Sequence, residues 1–221
     1  NLIDGLTTGP VSKKTFLDSK LNCIGHTPLL KSLCESQDVF MGFLGKHFNV
    51  VLLTGHVPLS EVEESLTPSK LKLSLQTISK WRLNLPSKSV KKPMGILGLN
   101  PHSGENGLIG QFEKKSLQPA LFKLNHSMGD LEGPLVPDAA FHSSQWKKYS
   151  LYIALYHDQG LIPFKMIHGH QGGAHTTIGL PIVRTSVDHG TGTDIFGKDR
   201  AQPESMIDAL RWCNILTRKK G

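Results

Sequence analysis

The sequence predicts an α/β protein with a mixed, mostly parallel sheet, and three features carry that expectation. Short apolar runs at Val50–Leu53, Met94–Leu99 and Leu151–Tyr156 are rich in strand formers and stop abruptly at polar steps. Strands buried on both faces of a parallel sheet read this way. Between them lie stretches of near-helical apolar spacing, such as Leu71, Leu75, Ile78 and Leu83. Phe40–Leu44 and Val50–Leu53 are separated only by Gly45-Lys46-His47-Phe48-Asn49, short enough for a hairpin, which makes part of the sheet antiparallel. With 221 residues, 38% of them hydrophobic, the chain can bury one sizeable core or two small ones.

The chain does not begin with Met, and N-L-I-D-G-L-T-T-G-P reads as a strand running into a loop. Preceding sequence is therefore expected beyond these residues. No apolar run approaches the ~20 residues that cross a bilayer, and no signal segment is visible, so a cytoplasmic protein without a membrane partner is expected. Cys23, Cys34 and Cys213 are odd in number and lack C-x-x-C spacing, which argues for reduced thiols rather than disulfides or a zinc ribbon. The net charge of +7 comes from scattered lysines without interleaved aromatics. That pattern fits a solvated surface and no nucleic-acid partner, and it favours the arrival of anionic substrates.

Taken in order, Thr7–Lys13 is a Gly-Pro loop whose Lys13 either caps a helix or faces an anion. Ile24–Pro28 is a polar turn. Ser60 with Glu63 has the spacing of a capping box, and Thr67-Pro68 opens a helix with Pro at its first position. Pro86–Pro93 reads as a linker. His102 opens H-S-G-E-N-G-L-I-G, a glycine-rich turn before a helix near Phe112–Leu124; a tight turn and an anion cradle at a helix N-terminus both fit it. Gly133–Asp138 is a further turn. His168–His175 is a loop rich in Gly and His; a second metal site at His168, His170 and His175 is the alternative, disfavoured because no rigid element holds the three. Gly179–Val183 is a buried apolar segment followed by Arg184-Thr185-Ser186, where an arginine fork suits a carboxylate or phosphate and equally a structural ion pair. Pro203 begins a last helix with Met206, Leu210, Cys213 and Leu216 facing inward.

Three of the strand-like runs end in a histidine: His56, His102 and His157. Each alone reads as a hydrogen-bonded loop residue. In open α/β sheets, however, ligands sit beyond the carboxyl ends of the strands. If the three strands share one direction, these imidazoles face one crevice and can converge on a single metal ion.

Together the motifs G-L-N-P-H-S-G-E-N-G, Y-H-D-Q-G-L-I-P-F-K and G-L-P-I-V-R-T-S-V-D-H-G-T resemble the 4-hydroxythreonine-4-phosphate dehydrogenase family of pyridoxal-phosphate biosynthesis. I-G-H-T-P, T-G-H-V-P-L and T-G-P-V-S-K follow the same pattern in the same order. The resemblance covers nearly the whole chain and implies that roughly the first third of the family's sequence is absent. It implies a two-domain α/β/α sandwich like that of isocitrate and isopropylmalate dehydrogenases, residues 1–221 being a partial two-domain chain whose split is left open. The implied metal ligands are His56, His102 and His157, the third offered by the partner of a homodimer with a shared active site. Implied substrate contacts are His26, Thr27, Lys165 and Arg184. Asp188, His189, Gly190, Thr191 and Asp194 look like the cofactor loop. The chain departs from the family at His175, where a substrate-binding Asn is usual, and at Gly192, where the wider group carries Ala; an imidazole replaces only part of an amide's hydrogen bonding.

The implied reaction is NAD- or NADP-dependent oxidation of a phosphorylated hydroxy acid, followed by loss of carbon dioxide. An all-imidazole set favours Zn(II) or a similar transition ion over Mg(II), with Co(II) and Mg(II) compatible with the family. Lys165 is the candidate for holding an anionic group or relaying a proton, and Asp158 for orienting a ligand histidine. A related dehydrogenase of phosphorylated four-carbon sugar acids, a redox-inactive metal- and anion-binding fragment, and a metal-dependent hydrolase or aldolase are the alternatives.

Overall fold

In the computed structural model, which describes residues 3–19, 23–128, 130–169 and 172–218, alternate residues of the central strands enter two separate cores. Val51, Leu53, Ile96, Leu151 and Ile153 belong to one, and Val50, Leu52, Leu97, Tyr152 and Ala154 to the other. A sheet apolar on both faces has to be covered on both, which gives the three-layer α/β/α arrangement.

The strands are β1 (Gly5–Thr8), β2 (Phe40–Leu44), β3 (Val50–Leu52), β4 (Met94–Leu97), β5 (Leu131–Leu135), β6 (Leu151–Ala154), β7 (Ala174–Ile178) and β8 (Val183–Ser186). The helices are α1 (Lys13–Asp18), α2 (His26–Leu33), α3 (Val62–Ser65), α4 (Pro68–Arg82), α5 (Ser87–Val90), α6 (Gln118–Met128), α7 (Pro137–Ala140), α8 (His157–His168) and α9 (Glu204–Thr217). The strands form one sheet in the order β1-β8-β7-β2-β3-β6-β4-β5. Four of its seven neighbouring pairs are parallel, and β2 and β7 supply the antiparallel ones. The β2–β3 hairpin is present as expected. It does not reverse the crevice, because β3, β6 and β4 still run in one direction side by side.

One face is packed by α4, through Leu71, Leu75 and Ile78, and by α6, through Leu121 and Leu124. The other receives α8 through Leu161 and Phe164. Gly160 is what lets α8 lie so close: a Cβ there would stand 2.7 Å from Leu52 Cδ2 and 2.9 Å from Val50 Cγ2.

Several local expectations are corrected. Ser60 and Glu63 form no capping box; a short 3-10 turn, Leu59–Glu61, precedes α3, and neither it nor α3 has a side-chain cap. Thr67 does cap α4, accepting from Lys70 N at 3.3 Å, but Leu83 follows the helix and is 54% exposed. The 86–93 linker contains α5. His168 closes α8 and His175 lies in β7, so the stretch expected as one loop is divided between two elements; His170 lies outside the described residues. Residues 179–182 form a turn, half-buried at Gly179 and Leu180 and exposed at Pro181 and Ile182, and burial resumes in β8 at Arg184. On α9 the buried residues are Ser205, Ala209 and Leu216, while Leu210 is exposed. Small side chains are needed there because α9 presses on β1, where a Cβ on Gly5 would meet Cys213 Sγ at 2.6 Å.

Candidate active site

The crevice lies beyond the carboxyl ends of β3, β6 and β4. Thr54 Oγ1 donates to Leu155 O at 2.7 Å, tying the end of β3 to the end of β6. This lateral tie brings His56 beside His157, with ring centroids 5.3 Å apart. His157 is the first residue of α8, and its Nδ1 lies 2.7 Å from Asp158 Oδ1. A hydrogen shared there belongs on Nδ1, which leaves Nε2 as the lone-pair nitrogen.

His102 follows β4 but stands apart from that ring pair. It sits on a left-handed turn, with φ positive from His102 through Asn106, and its Nδ1 is 3.7 Å from Glu105 Oε2. Among the described residues, no three His, Cys, Asp or Glu side chains gather closely enough to hold a metal ion. Within one chain the structure thus pairs two of the three expected ligands.

A cavity of about 400 Å³ joins most of the remaining candidates. His26 and Thr27 reach it from the first turn of α2, His56 and His157 from the strand ends, and Lys165 from two turns along α8. His175 on β7 and Arg184 on β8 form its far wall, and Asp188, His189 and Gly190 its rim. Asp158 lines a neighbouring cavity of about 440 Å³ with His157, Leu161 and Lys165.

Arg184 is the unusual feature of this wall. It is 4% exposed, and among the described residues no carboxylate pairs with it. Its Nη1 donates to Thr177 Oγ1 at 2.9 Å and to His175 Nδ1 at 3.2 Å, and Nη2 donates to Thr8 Oγ1 at 2.7 Å. The buried Nε has no hydrogen-bond partner among the described residues. The structural ion pair that was the alternative for this residue is therefore not formed. Burial pulls the guanidinium down to about 10, so it stays charged at neutral pH. The same burial, helped by Arg184, pushes His175 down to about 3, and it lowers His26 in the same way.

Lys165 Nζ stands 3.4 Å from Asp188 Oδ2. Burial raises the Asp188 carboxyl, against the opposing pull of Lys165. His189 and Gly190 also line a second cavity of about 950 Å³, together with Thr191, Gly192, Asp194 and the start of α9. The expected cofactor loop thus lies between two cavities. His168 and His175 do not meet: His168 packs on Phe48 and Phe164, whereas His175 packs on Phe43. Sequence reasoning missed Thr8 and Thr177, whose hydroxyls hold Arg184, and the apolar wall of Met41 and Phe43. Thr177 stands in A-H-T-T-I, whose first two residues read from sequence as the end of the His168–His175 loop, so nothing marked its hydroxyl as facing Arg184.

The model of the family described as pyridoxal phosphate biosynthetic protein PdxA matches residues 1–213. A 4-hydroxythreonine-4-phosphate dehydrogenase of Sulfurihydrogenibium sp. (strain YO3AOP1) is 40% identical over 220 residues, 97% of this chain and 66% of that protein. A D-threonate 4-phosphate dehydrogenase of Cupriavidus necator is 36% identical over 211 residues, 95% of this chain and 62% of that protein. Among solved structures, a 4-hydroxythreonine-4-phosphate dehydrogenase from Burkholderia phymatum superposes with a TM-score of 0.85 at 32% identity, covering 99% of this chain and 66% of its own. The chain accordingly spans a little under two thirds of the length of these curated relatives. The family match over nearly all of the sequence, and the shared α/β/α architecture of the isocitrate dehydrogenase type, lead to one conclusion: this chain belongs to the PdxA family of pyridoxal phosphate biosynthetic proteins.

Proposed function

We propose that the protein containing this chain is a metal-dependent NAD(P) dehydrogenase that oxidises and decarboxylates 4-phosphohydroxy-L-threonine to 3-amino-2-oxopropyl phosphate. It would serve pyridoxal phosphate biosynthesis in the cytoplasm, as a homodimer whose two chains share each active site. The observation that carries the proposal is the buried Arg184, without a carboxylate partner among the described residues, at the wall of a cavity also lined by Lys165 and His26. A buried charge is costly unless paired, and an arriving phosphate or carboxylate supplies the missing partner.

In this scheme Arg184 grips the anionic end of the substrate, while Thr27 and His26, at the positive end of α2, assist. Lys165, held near the rim by Asp188, is placed to accept or return the proton of the reacting hydroxyl. The residues also suit a metal. His56 and His157 present imidazoles to each other within one chain, and Asp158 leaves His157 Nε2 free to ligate, so the ligand offered across the dimer is taken to be His102 rather than His157. Three neutral imidazoles suit Zn(II), with Co(II) next and Mg(II) least favoured. A divalent ion held there would supply Lewis acidity, toward the hydroxyl proton and toward the negative charge that decarboxylation would leave. NAD or NADP, which would accept the hydride, is assigned to the 950 Å³ cavity edged by His189, Gly190, Thr191 and Asp194, whose size suits such a ligand, with Asp188 on the neighbouring cavity.

A second substrate has a specific observation in its favour. His175, held neutral beside Arg184, offers an N–H donor better matched to a hydroxyl than to an ammonium group, which fits D-threonate 4-phosphate, the substrate named for the Cupriavidus relative. The test is metal analysis of the full-length protein, then absorbance at the reduced-nicotinamide band with each phosphorylated acid and NAD or NADP. Reduction with 4-phosphohydroxy-L-threonine supports the first substrate, and reduction with D-threonate 4-phosphate alone supports the second. Metal and phosphate binding without reduction on either would replace both with a redox-inactive binding role.

A further inference from the structure

Past β4, residues Gly98 to Asn100 are leaving the sheet, and their main-chain groups need other partners. Two buried side chains provide them. Gln159, on the first turn of α8, donates from Nε2 to Gly98 O at 2.6 Å and accepts Leu155 N–H on Oε1 at 2.7 Å. Glu113 accepts Leu99 N–H and Asn100 N–H on Oε1, both at 2.7 Å, and the Asn100 side-chain amide on Oε2 at 2.9 Å. Three successive residues are thus gripped by side chains from two separate elements. The gripped segment ends two residues before His102, and Gln159 lies two residues after His157.

Glu113 is 2% exposed, and among the described residues no lysine or arginine pairs with it. Its neighbours Phe112 and Leu117 belong to the apolar core. A carboxylate in such a place is costly to bury, and for packing alone an apolar side chain would serve as well. What the charge secures is the path of the following loop. Glu113 opens a π-helical turn, Glu113–Leu117, an irregularity frequent at functional sites. Gly104, with φ +77°, rests on the same carboxylate, where a Cβ would stand 2.6 Å from Oε2. His102, Ser103, Glu105 and Asn106 all hold left-handed conformations that L-residues adopt at a cost, so the turn persists only because its surroundings impose it.

We propose that Glu113 and Gln159 are paired positioning residues, which together fix the His102 turn relative to the N-terminus of α8 and so preset His102 and His157 as ligands before any metal binds. The role of the imidazoles rests on the metal centre proposed above; the control of the loop does not.

The test uses the full-length protein, wild type and Glu113→Gln, with Gln159→Met as the second variant should the first fail to fold. In metal-free protein, amide exchange at Leu99 and Asn100 is expected to quicken at least ~10-fold while the rest of the sheet stays protected, and the crystal structure should show a displaced His102 turn. Titration with Co(II), read by its visible spectrum, should show roughly 10- to 100-fold weaker binding. An unmoved turn with unchanged local exchange overturns the proposal, as does uniform loss of protection across the sheet with Co(II) affinity preserved. If the wild type takes up no Co(II), the proposed metal centre falls, and loop position and exchange still decide the roles of Glu113 and Gln159.

Discussion

Arg184 on β8 donates from Nη1 to Nδ1 of His175 on β7, 3.2 Å away, so the imidazole nitrogen facing the guanidinium carries a lone pair. The ring hydrogen is then on Nε2. Burial already disfavours the charged ring, and protonating His175 would also turn that acceptor into a donor aimed at a cation, so Arg184 adds to the same lowering.

The pH dependence follows from this pair. A histidine depressed to about 3 when folded contributes stability that is complete above its unfolded value of 6.5 and is lost as pH falls from there toward 3. In that window the unfolded chain binds the extra proton, so this group's slope is up to about 1.4 kcal/mol per pH unit. Denaturant unfolding between pH 4 and 7 should show a shallower slope for His175→Asn than for the wild type. Equal slopes would show that His175 is not held neutral.

Substitution of Arg184 by Met should weaken binding of the phosphorylated acid roughly 10- to 100-fold, the equivalent of one charged hydrogen bond of about 1.5–3 kcal/mol. It should also lower stability by about 1–3 kcal/mol, because Thr8 and Thr177 lose their partner. The Michaelis constant and a melting curve measure the two effects. An unchanged Michaelis constant would move the anion site elsewhere.

Metal binding separates the roles of two neighbours on α8. His157→Ala should abolish tight metal binding and turnover together. Asp158→Asn should keep the ligand and weaken affinity about 10- to 100-fold, since it removes only the group that orients the ring. Bound metal after dialysis against a chelator reads both; full turnover by metal-stripped His157→Ala would sink the ligand assignment.

Lys165→Met should depress kcat far more than stability. Its pair with Asp188 is partly exposed and 3.4 Å long, a type worth about 0–1 kcal/mol. Steady-state kinetics beside a melting curve would show the contrast, and wild-type kcat in the variant would remove Lys165 from proton transfer.

Gly160→Ala adds one methyl where α8 lies on β3 and β6, with Leu52, Val50 and Ala154 all within 3.0 Å of the new carbon. Over-packing of this kind costs about 1–3 kcal/mol. Because α8 begins with His157, the variant should lose metal affinity along with stability. A melting temperature equal to wild type would mean that the helix shifts without penalty.

The sequence by itself determined the strands β1 to β4 and β6, the helices α4, α6 and α9 and the chemistry available to the site, while α2, α8, β5 and β7 were read as turns or loops or not at all. The apolar runs at 50–53 and 151–156, the hairpin before the first and the cap at Thr67 are local signals, written in residues a few positions apart, and they reappear as β3, β6, the β2–β3 pair and the start of α4. Long motifs such as Y-H-D-Q-G-L-I-P-F-K carried the family. The inward face of α9 was misread because helical spacing alone cannot say where a helix presses closely enough to demand Ser205 and Ala209 in place of Leu210. Tertiary structure decided whatever depends on residues far apart in the chain. It set β3 parallel to β6 so that His56 meets His157, left His102 on its own turn, and surrounded Arg184 with Thr8, His175 and Thr177 instead of an acid. Hydrogen-bond geometry across strands 176 residues apart has no periodic trace in sequence. Only the packed sheet could show that the guanidinium is buried, charged and, among the described residues, without a carboxylate.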